Sequence, residues 1–428
     1  MHDRKYEFVI AGSGAGGATM AKELAARGKD VLVVEKGEYC SEFGTLEDIV
    51  RFYDASKSTK GLRYSEEGVM LLRTFMAGGS TVVSCGNGVR CLERELADLG
   101  VTLEEEFVEA EQEMGIAPIS ENLLSEGSKT IRSAAAELGY RMELMPKFIN
   151  PAPCGRCGRC WAGCQRGAKW TALSYLEQAR QSGADIVCGI PVREVLVANG
   201  KARGIVVGEP GTQTEILADK VILCAGALTT PMVLQRSGIK DAGTGLFVDT
   251  FVNVYGLTTG LNLMHEPSMA LIGRDSYDDE GFILSPFINH LKVCRFAELG
   301  VKGLTLPLDK LIGLMVKIQD EPAGCVRPDG SVSKPVTKKD QVRLQKGAAM
   351  AKEIMAKAGA DDESFMVSKP QGPHPGGTAA IGRIVNSDLE SEVDNLFVCD
   401  ASVLPTSPGL PPILTIVALA KRLAKILA

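Results

Sequence analysis

The sequence predicts an α/β protein: a Rossmann-like nucleotide-binding unit with a parallel sheet and a β-meander, interrupted by a second, inserted α+β unit. Three observations carry this. A strand, glycine turn, helix and strand follow one another over residues 7–35; buried apolar strands return at Val221–Cys224 and Asn395–Val398; and the texture between about Leu246 and Met366 changes to alternating, aromatic-containing strands. At 428 residues the chain exceeds the usual size of a single core, so more than one unit is expected. The boundaries fall at 1–245, 246–366 and 367–428.

In order along the chain, Glu7–Ala11 is a short apolar strand, Ala18–Arg27 a helix, and Val31–Glu35 a second strand that ends in an acid. Between the first two, Gly12, Gly14 and Gly17 form G-x-G-x-x-G, a tight turn that lets backbone approach a pyrophosphate and lets the helix pack close to the sheet. The helix N-terminus then faces the phosphates. Glu35 lies where an acid accepts ribose hydroxyls, roughly twenty residues past the glycines. A glycine turn that merely caps a buried helix is the alternative, and the strand before and helix after argue against it.

Leu46–Glu67 has mixed charge and no periodicity. Gly78 and Gly79, followed by Ser80 and Thr81, form either a plain loop or a nest of amides for a phosphate or a ring. Asp98–Ala117 and Leu124–Gly139 read as helices and lead into a cysteine-rich loop from Pro151, after which Ala172–Ser182 is helical. Ile186–Cys188, Val192–Ala198, Gly204–Val207 and Thr214–Ala218 read as a meander. Val221–Cys224 is a buried strand, and Ala225-Gly226-Ala227 lets a helix start tightly against it. Phe251–Tyr255, Leu314–Gln319 and the helix Lys338–Gly359 belong to the inserted unit. Gly372–Thr378, Asn395–Val398 with Asp400, and the helix Ile413–Leu427 return to the first style.

The formal charge is −6, and no basic stripe accompanies it, which excludes a nucleic-acid footprint. The start runs straight into the first strand without a secretory pattern. No apolar run reaches the roughly eighteen residues of a membrane span; Lys421, Arg422 and Lys425 interrupt the C-terminal stretch, whose Leu419, Leu423, Ile426 and Leu427 form a core-facing stripe. A cytoplasmic protein is expected, with its twelve cysteines as reduced thiols plus a metal site.

Four of them, Cys154, Cys157, Cys160 and Cys164, follow C-x2-C-x2-C-x3-C, the spacing that wraps thiolates around a [4Fe-4S] cluster. A structural zinc, or thiols without metal, are the competing readings. Arg156, Arg159 and Arg166 crowd the loop and would offset a cluster's negative charge. A one-electron centre beside a nucleotide fingerprint suggests an enzyme that takes electrons in pairs and passes them on singly, and flavin is a converter of that kind.

The glycine turn, Gly78-Gly79-Ser80-Thr81, Val221–Ala227 with Ser237-Gly238-Ile239, His374-Pro375-Gly376-Gly377-Thr378 and the tail Asn395–Thr406 with Thr415-Ile416 together resemble the glucose–methanol–choline oxidoreductases, over nearly the whole chain. The resemblance implies FAD in the Rossmann-like unit, an antiparallel sheet in the substrate unit, and hydride transfer from an alcohol-type substrate. It implies that Gly12, Gly14 and Gly17, with Ala15 beside them, meet the pyrophosphate and Glu35 the ribose. Gly78, Gly79, Ser80 and Thr81 would lie along the flavin and Val192 near the adenine. Ala225, Gly226, Asp400 and Ala401 would contact the cofactor, the last two at the ribityl–phosphate region.

His374 matches the family's active-site histidine, an imidazole able to exchange a proton at neutral pH. Two departures from the pattern stand out. Pro411 and Pro412 stand where a second histidine or asparagine is usual, and proline donates no hydrogen bond, so His265, His290, Asn262 or Asn289 would have to substitute. Ser84 stands where many members carry asparagine. The expected protein is thus a dehydrogenase of a small-molecule substrate that passes electrons through the cluster to a carrier such as a ferredoxin or a second redox subunit. A ferredoxin-driven reductase, a non-redox flavoprotein lyase and an electron-transfer subunit are the alternatives.

Overall fold

The computed structural model describes residues 4–45, 52–53 and 63–428. Of the aperiodic stretch 46–67, positions 46–51 and 54–62 lie outside these. The first of two large sheets is built on Lys5–Ala11, which pairs in parallel with Val31–Val34 on one side and with Thr214–Leu223 on the other. Asp185–Val187 extends the first edge and Leu396–Val398 adds beside Val221–Leu223, both parallel. Val31–Val34 is buried throughout, as a parallel strand covered on both faces requires. Helix Ala15–Ala26 packs against helices Leu173–Gln181 and Ile413–Leu427 on this sheet.

Three elements differ from the sequence reading. Thr214–Leu223 is one continuous strand, not two: its first half alternates buried with exposed residues and its last three are fully buried. The first half is a meander strand, antiparallel to Lys201–Val207, while the second half belongs to the parallel core. Asp185–Val187 is not in the meander at all; it pairs with Val31–Val34 at the opposite edge. The meander itself is Val192–Ala198, Lys201–Val207 and the start of Thr214–Leu223. The helix expected over Asp98–Ala117 is two helices, Glu93–Asp98 and Glu104–Met114. They are broken at Gly100, whose φ of +79° ends the first.

The second sheet runs Phe282–Pro286, Leu311–Ile318, Phe251–Leu257 in antiparallel register. It then takes Gln371–Gly372, Met70–Leu71 and Arg63–Tyr64, so strands from both ends of the chain complete it. Helix Lys338–Lys357 covers it, started by a capping box in which Thr337 and Asp340 satisfy each other's backbone N–H. In helix Ile413–Leu427, Leu419 and Leu423 are buried as expected, but Ile426 is 45% exposed and belongs to the surface. Among the described residues no helix is long and apolar enough to cross a membrane.

Candidate active site

A cavity of about 990 Å3 takes its walls from both sheets. On the first sheet's side, Gly12, Gly14, Ala15, Glu35, Val192, Ala225, Gly226, Asp400 and Ala401 line it. Close packing dictates the glycines. A Cβ on Gly12 would stand 2.3 Å from the Cys224 carbonyl oxygen, and one on Gly16 1.8 Å from that of Cys399. A Cβ on Gly14 or Gly226 would meet nothing and would fill the cavity instead. Helix Ala15–Ala26 starts here with no acid in its first turn, so its free N–H groups give the wall a partial positive charge. This open cradle fits the pyrophosphate of a dinucleotide.

Glu35 closes the cradle, and burial raises its pKa. Its Oε2 accepts from Ser13 N and Oγ (2.9 and 2.6 Å) and its Oε1 from Gly37 N (2.7 Å). Asp400 is held by Gly226 N (2.8 Å), Thr230 Oγ1 (2.6 Å) and Ser402 N (2.8 Å). The second glycine turn is part of the same wall. Gly79, Ser80 and Thr81 line the cavity, and a Cβ on Gly79 would come 2.9 Å from Gly14 Cα. Gly17 and Gly78 stand behind the lining: a Cβ on Gly17 would meet Gly12 O at 2.0 Å, and Gly78 N donates to Ser13 Oγ.

The second sheet contributes Phe251, Met315 and Lys317, joined by Met269, Phe287, His374, Pro411 and Pro412. His374 sits on a segment hydrogen-bonded to Phe247–Val248, where Gly376 must be glycine because a Cβ would strike the Phe247 ring. Its Nδ1 lies 2.9 Å from Asp249 Oδ2, and Nε2 has no protein partner among the described residues. Burial, and then the Lys317 charge, hold the His374 pKa well below 6.5, so the imidazole is neutral at neutral pH. Asp249 is fully buried, with φ +51°; its Oδ1 accepts from Ser407 Oγ (2.7 Å) and Gly409 N (3.0 Å). Burial and neighbouring Asp320 raise its pKa. Asp320 in turn is paired with buried Lys334 at 2.9 Å.

The substitutes expected for the second histidine or asparagine are elsewhere. Asn289 donates to Glu298, Asn262 to the Asp309 carbonyl, His290 packs against Gly158, and the His265 carbonyl accepts from Arg156. None of the four lines the cavity. Lys317 on the cavity wall and Asp249 behind His374 are polar groups that the sequence reading missed. Asp249 gave no signal, but Lys317 did: it is the one charge in the wholly buried strand Leu311–Ile318.

The cysteine loop adjoins this cavity through Trp161, which lines it. Lys169 Nζ ties the loop to the wall, donating to the carbonyls of Cys160 (2.9 Å), Val82 (2.8 Å) and Ser84 (2.6 Å). Cys154, Cys160 and Cys164 are half-buried and Cys157 is exposed. Burial raises the Cys154 pKa, a backbone hydrogen bond from Arg156 lowers it, and Cys160, Cys164 and Cys157 add to the rise. Arg156 does not face them; it donates to the carbonyls of His265 and Leu124. The buried lysines Lys147 and Lys169 supply positive charge instead: burial lowers both, Lys169 to about 8, and nearby Cys160 opposes that. Trp161 Nε1 is buried without a hydrogen bond. Among the described residues, no three His, Cys, Asp or Glu side chains are grouped to hold a metal ion.

Comparison with known proteins agrees with this geometry. The N-terminal model of the GMC oxidoreductases matches residues 6–267 and the C-terminal model residues 326–420. The chain is 31% identical to an uncharacterised protein of Methanocaldococcus jannaschii, covering 98% of this chain and 99% of that one. It is 25% identical to a long-chain-alcohol oxidase of Arabidopsis thaliana, over 96% of this chain and 65% of the other. Among solved structures, pyridoxine 4-oxidase from Mesorbium loti shares the fold with a TM-score of 0.74 at 17% identity, covering 99% of each chain. A glycine cradle and a histidine on one cavity, in a chain matched by both family models, lead to one conclusion: the chain belongs to the GMC oxidoreductase family and is an FAD-dependent oxidoreductase.

Proposed function

We propose that the protein is a dehydrogenase that oxidises an alcohol-type substrate at His374 and passes the electrons through a [4Fe-4S] cluster to an external carrier. The observation that carries the reading is the His374–Asp249 pair, 2.9 Å apart, on the cavity that also contains the glycine cradle.

FAD would be held by the Gly12–Ala15 turn at its pyrophosphate, by Glu35 at the ribose, by Val192 at the adenine, and by Asp400 and Ala401 at the ribityl–phosphate region, with Ala225 and Gly226 as further contacts. Gly78 supports the Gly79–Thr81 wall beside the ring. Glu35 Oε1 accepts one hydrogen bond from the protein and so retains a lone pair for a ribose hydroxyl. When bound, FAD supplies the hydride acceptor, so the substrate's C–H pair leaves as hydride, its O–H hydrogen leaves as a proton, and a carbonyl forms.

His374 does the proton chemistry. Asp249 fixes Nδ1, which leaves the Nε2 lone pair for the hydroxyl proton, and Asp249 then stabilises the imidazolium that forms. The apolar walls of Phe251, Met269, Phe287 and Met315 exclude water from the reacting oxygen. The cluster would be held by Cys154, Cys157, Cys160 and Cys164. When bound, it supplies a one-electron relay, and Trp161 and Lys169 place its loop against the same cavity wall. The carrier is a ferredoxin-like protein or a second redox subunit, in a cytoplasm that keeps all twelve free cysteines reduced.

Anaerobic titration of iron-loaded holoprotein with primary alcohols tests this. Flavin bleaching accompanied by an EPR signal from a reduced cluster is expected; bleaching without that signal discards the relay, and no bleaching discards the dehydrogenase. The rate of bleaching should be flat through neutral pH. It should fall only as pH drops through the His374 pKa, below 6.5, because protonation removes the acceptor lone pair.

A further inference from the structure

We infer that Lys317 is a catalytic residue: its ammonium donates to the substrate oxygen that His374 deprotonates, and with it the site selects an uncharged alcohol. The inference rests on the reading of His374 as the base. Lys317 is 1% exposed and lines the cavity, yet no described residue makes a hydrogen bond or ion pair with its Nζ. A buried ammonium without a partner is costly, so a group outside the protein completes it. Burial lowers the Lys317 pKa, the neighbouring Asp249, Cys85 and Cys91 oppose that, and the Lys317 charge acts in turn on His374. The substrate oxygen has His374 on one side, and the usual second donor is replaced by Pro411 and Pro412, which line the cavity but cannot donate.

Charge balance sets the substrate class. Lys334 neutralises Asp320, and Lys317 offsets Asp249, so the polar end of the cavity carries no surplus positive charge for a carboxylate or phosphate substrate. The rest of the substrate wall is Phe251, Met269, Phe287 and Met315, which suits an apolar body. As hydride leaves, negative charge develops on the oxygen. A preorganised ammonium in a water-poor site stabilises that charge more than it stabilises the neutral alcohol.

The test uses FAD-loaded protein and two small probes, 2,2,2-trifluoroethanol and acetate, followed by perturbation of the flavin spectrum. Trifluoroethanol should bind, Lys317→Met should weaken it about tenfold or more, and Lys317→Arg should restore part of the loss. Acetate should bind poorly to every form. A second readout needs no substrate: in a chain with four histidines, NMR of the imidazole Cε1 positions, assigned with His374→Asn, should show the His374 pKa rising in Lys317→Met. Trifluoroethanol binding unchanged in Lys317→Met, with the His374 titration unmoved, overturns the role of Lys317. Tight acetate binding that depends on Lys317 overturns the substrate class. Neither result depends on turnover, so a holoprotein that no alcohol reduces would refute the dehydrogenase reading separately.

Discussion

Replacing His374 by alanine is expected to slow alcohol-driven flavin reduction by roughly 10²–10⁴-fold, the usual contribution of a positioned general base. The expectation follows from where the imidazole stands. Its neutral form is enforced by burial and by Lys317, its Nδ1 is held by Asp249, and its Nε2 has no partner among the described residues. The substitution leaves buried Asp249 Oδ2 without a partner, a cost of about 1–3 kcal/mol, while Ser407 and Gly409 still hold Oδ1. FAD content should therefore persist, and His374→Gln, which can still donate to Asp249, serves as the control for folding. Stopped-flow reduction of the three proteins decides the matter. An unchanged rate in His374→Ala would mean that the chain carries electrons for a partner and processes no alcohol itself.

Lys421→Ala is expected to destabilise the protein by about 3 kcal/mol, at the lower end of what removing one partner from a buried ion pair costs. Lys421 is 2% exposed and joins three helices: its Nζ contacts Glu23 (2.9 Å) on Ala15–Ala26, and Glu113 (2.8 Å) and Glu109 (3.2 Å) on Glu104–Met114. Glu109 and Glu113 are about one third exposed, and Lys22 and Lys425 also reach them, which keeps the loss below the upper end of that range. Burial alone would raise the Glu23 pKa, but hydrogen bonds from Lys421 and Arg27 outweigh it and bring it down to about 2. A depressed carboxylate pKa stabilises the fold above the unfolded value of about 4.5 and loses that contribution as pH falls toward 2. Urea midpoints should thus separate the two proteins at neutral pH and converge in acid. Equal midpoints at neutral pH would show that the ion pairs only offset their own desolvation.

Much of this architecture was legible in the residues. Gly12, Gly14 and Glu35 mark the cradle because a backbone turn under a phosphate tolerates few alternatives, and Val192–Ala198 and Ile413–Leu427 have the bounds that their patterns indicate. His374 stood out through its flanking Pro375, Gly376 and Gly377. What escaped was long-range. Asp249 reaches His374 from 125 positions away, and nothing local announces it. Two-residue strands such as Met70–Leu71 and Gln371–Gly372 carry no periodicity, so their parallel pairing could not be anticipated. The long strand Thr214–Leu223 was split in two because its pattern changes midway, where its neighbours change. Lys317 was visible but undervalued: a single lysine in Leu-Ile-Gly-Leu-Met-Val-Lys-Ile has no place in a buried strand unless a site requires it.

The substitution of proline for the usual second polar residue links these points. Pro411 and Pro412 stand on the cavity wall where a second donor is usual, and the role proposed for Lys317, on strand Leu311–Ile318, fills that gap. His374 and Lys317 thus reach the cavity from the second sheet's side, opposite the glycine cradle, while the cysteine loop meets the same cavity through Trp161.

The most direct measurement is an anaerobic crystal structure of the FAD-loaded protein with trifluoroethanol. The account predicts a dinucleotide along Gly12–Ala15, Glu35, Gly226 and Asp400, its ring facing His374, and the alcohol oxygen between His374 Nε2 and Lys317 Nζ. A dinucleotide bound outside this cavity, or a ring that His374 does not face, would contradict it.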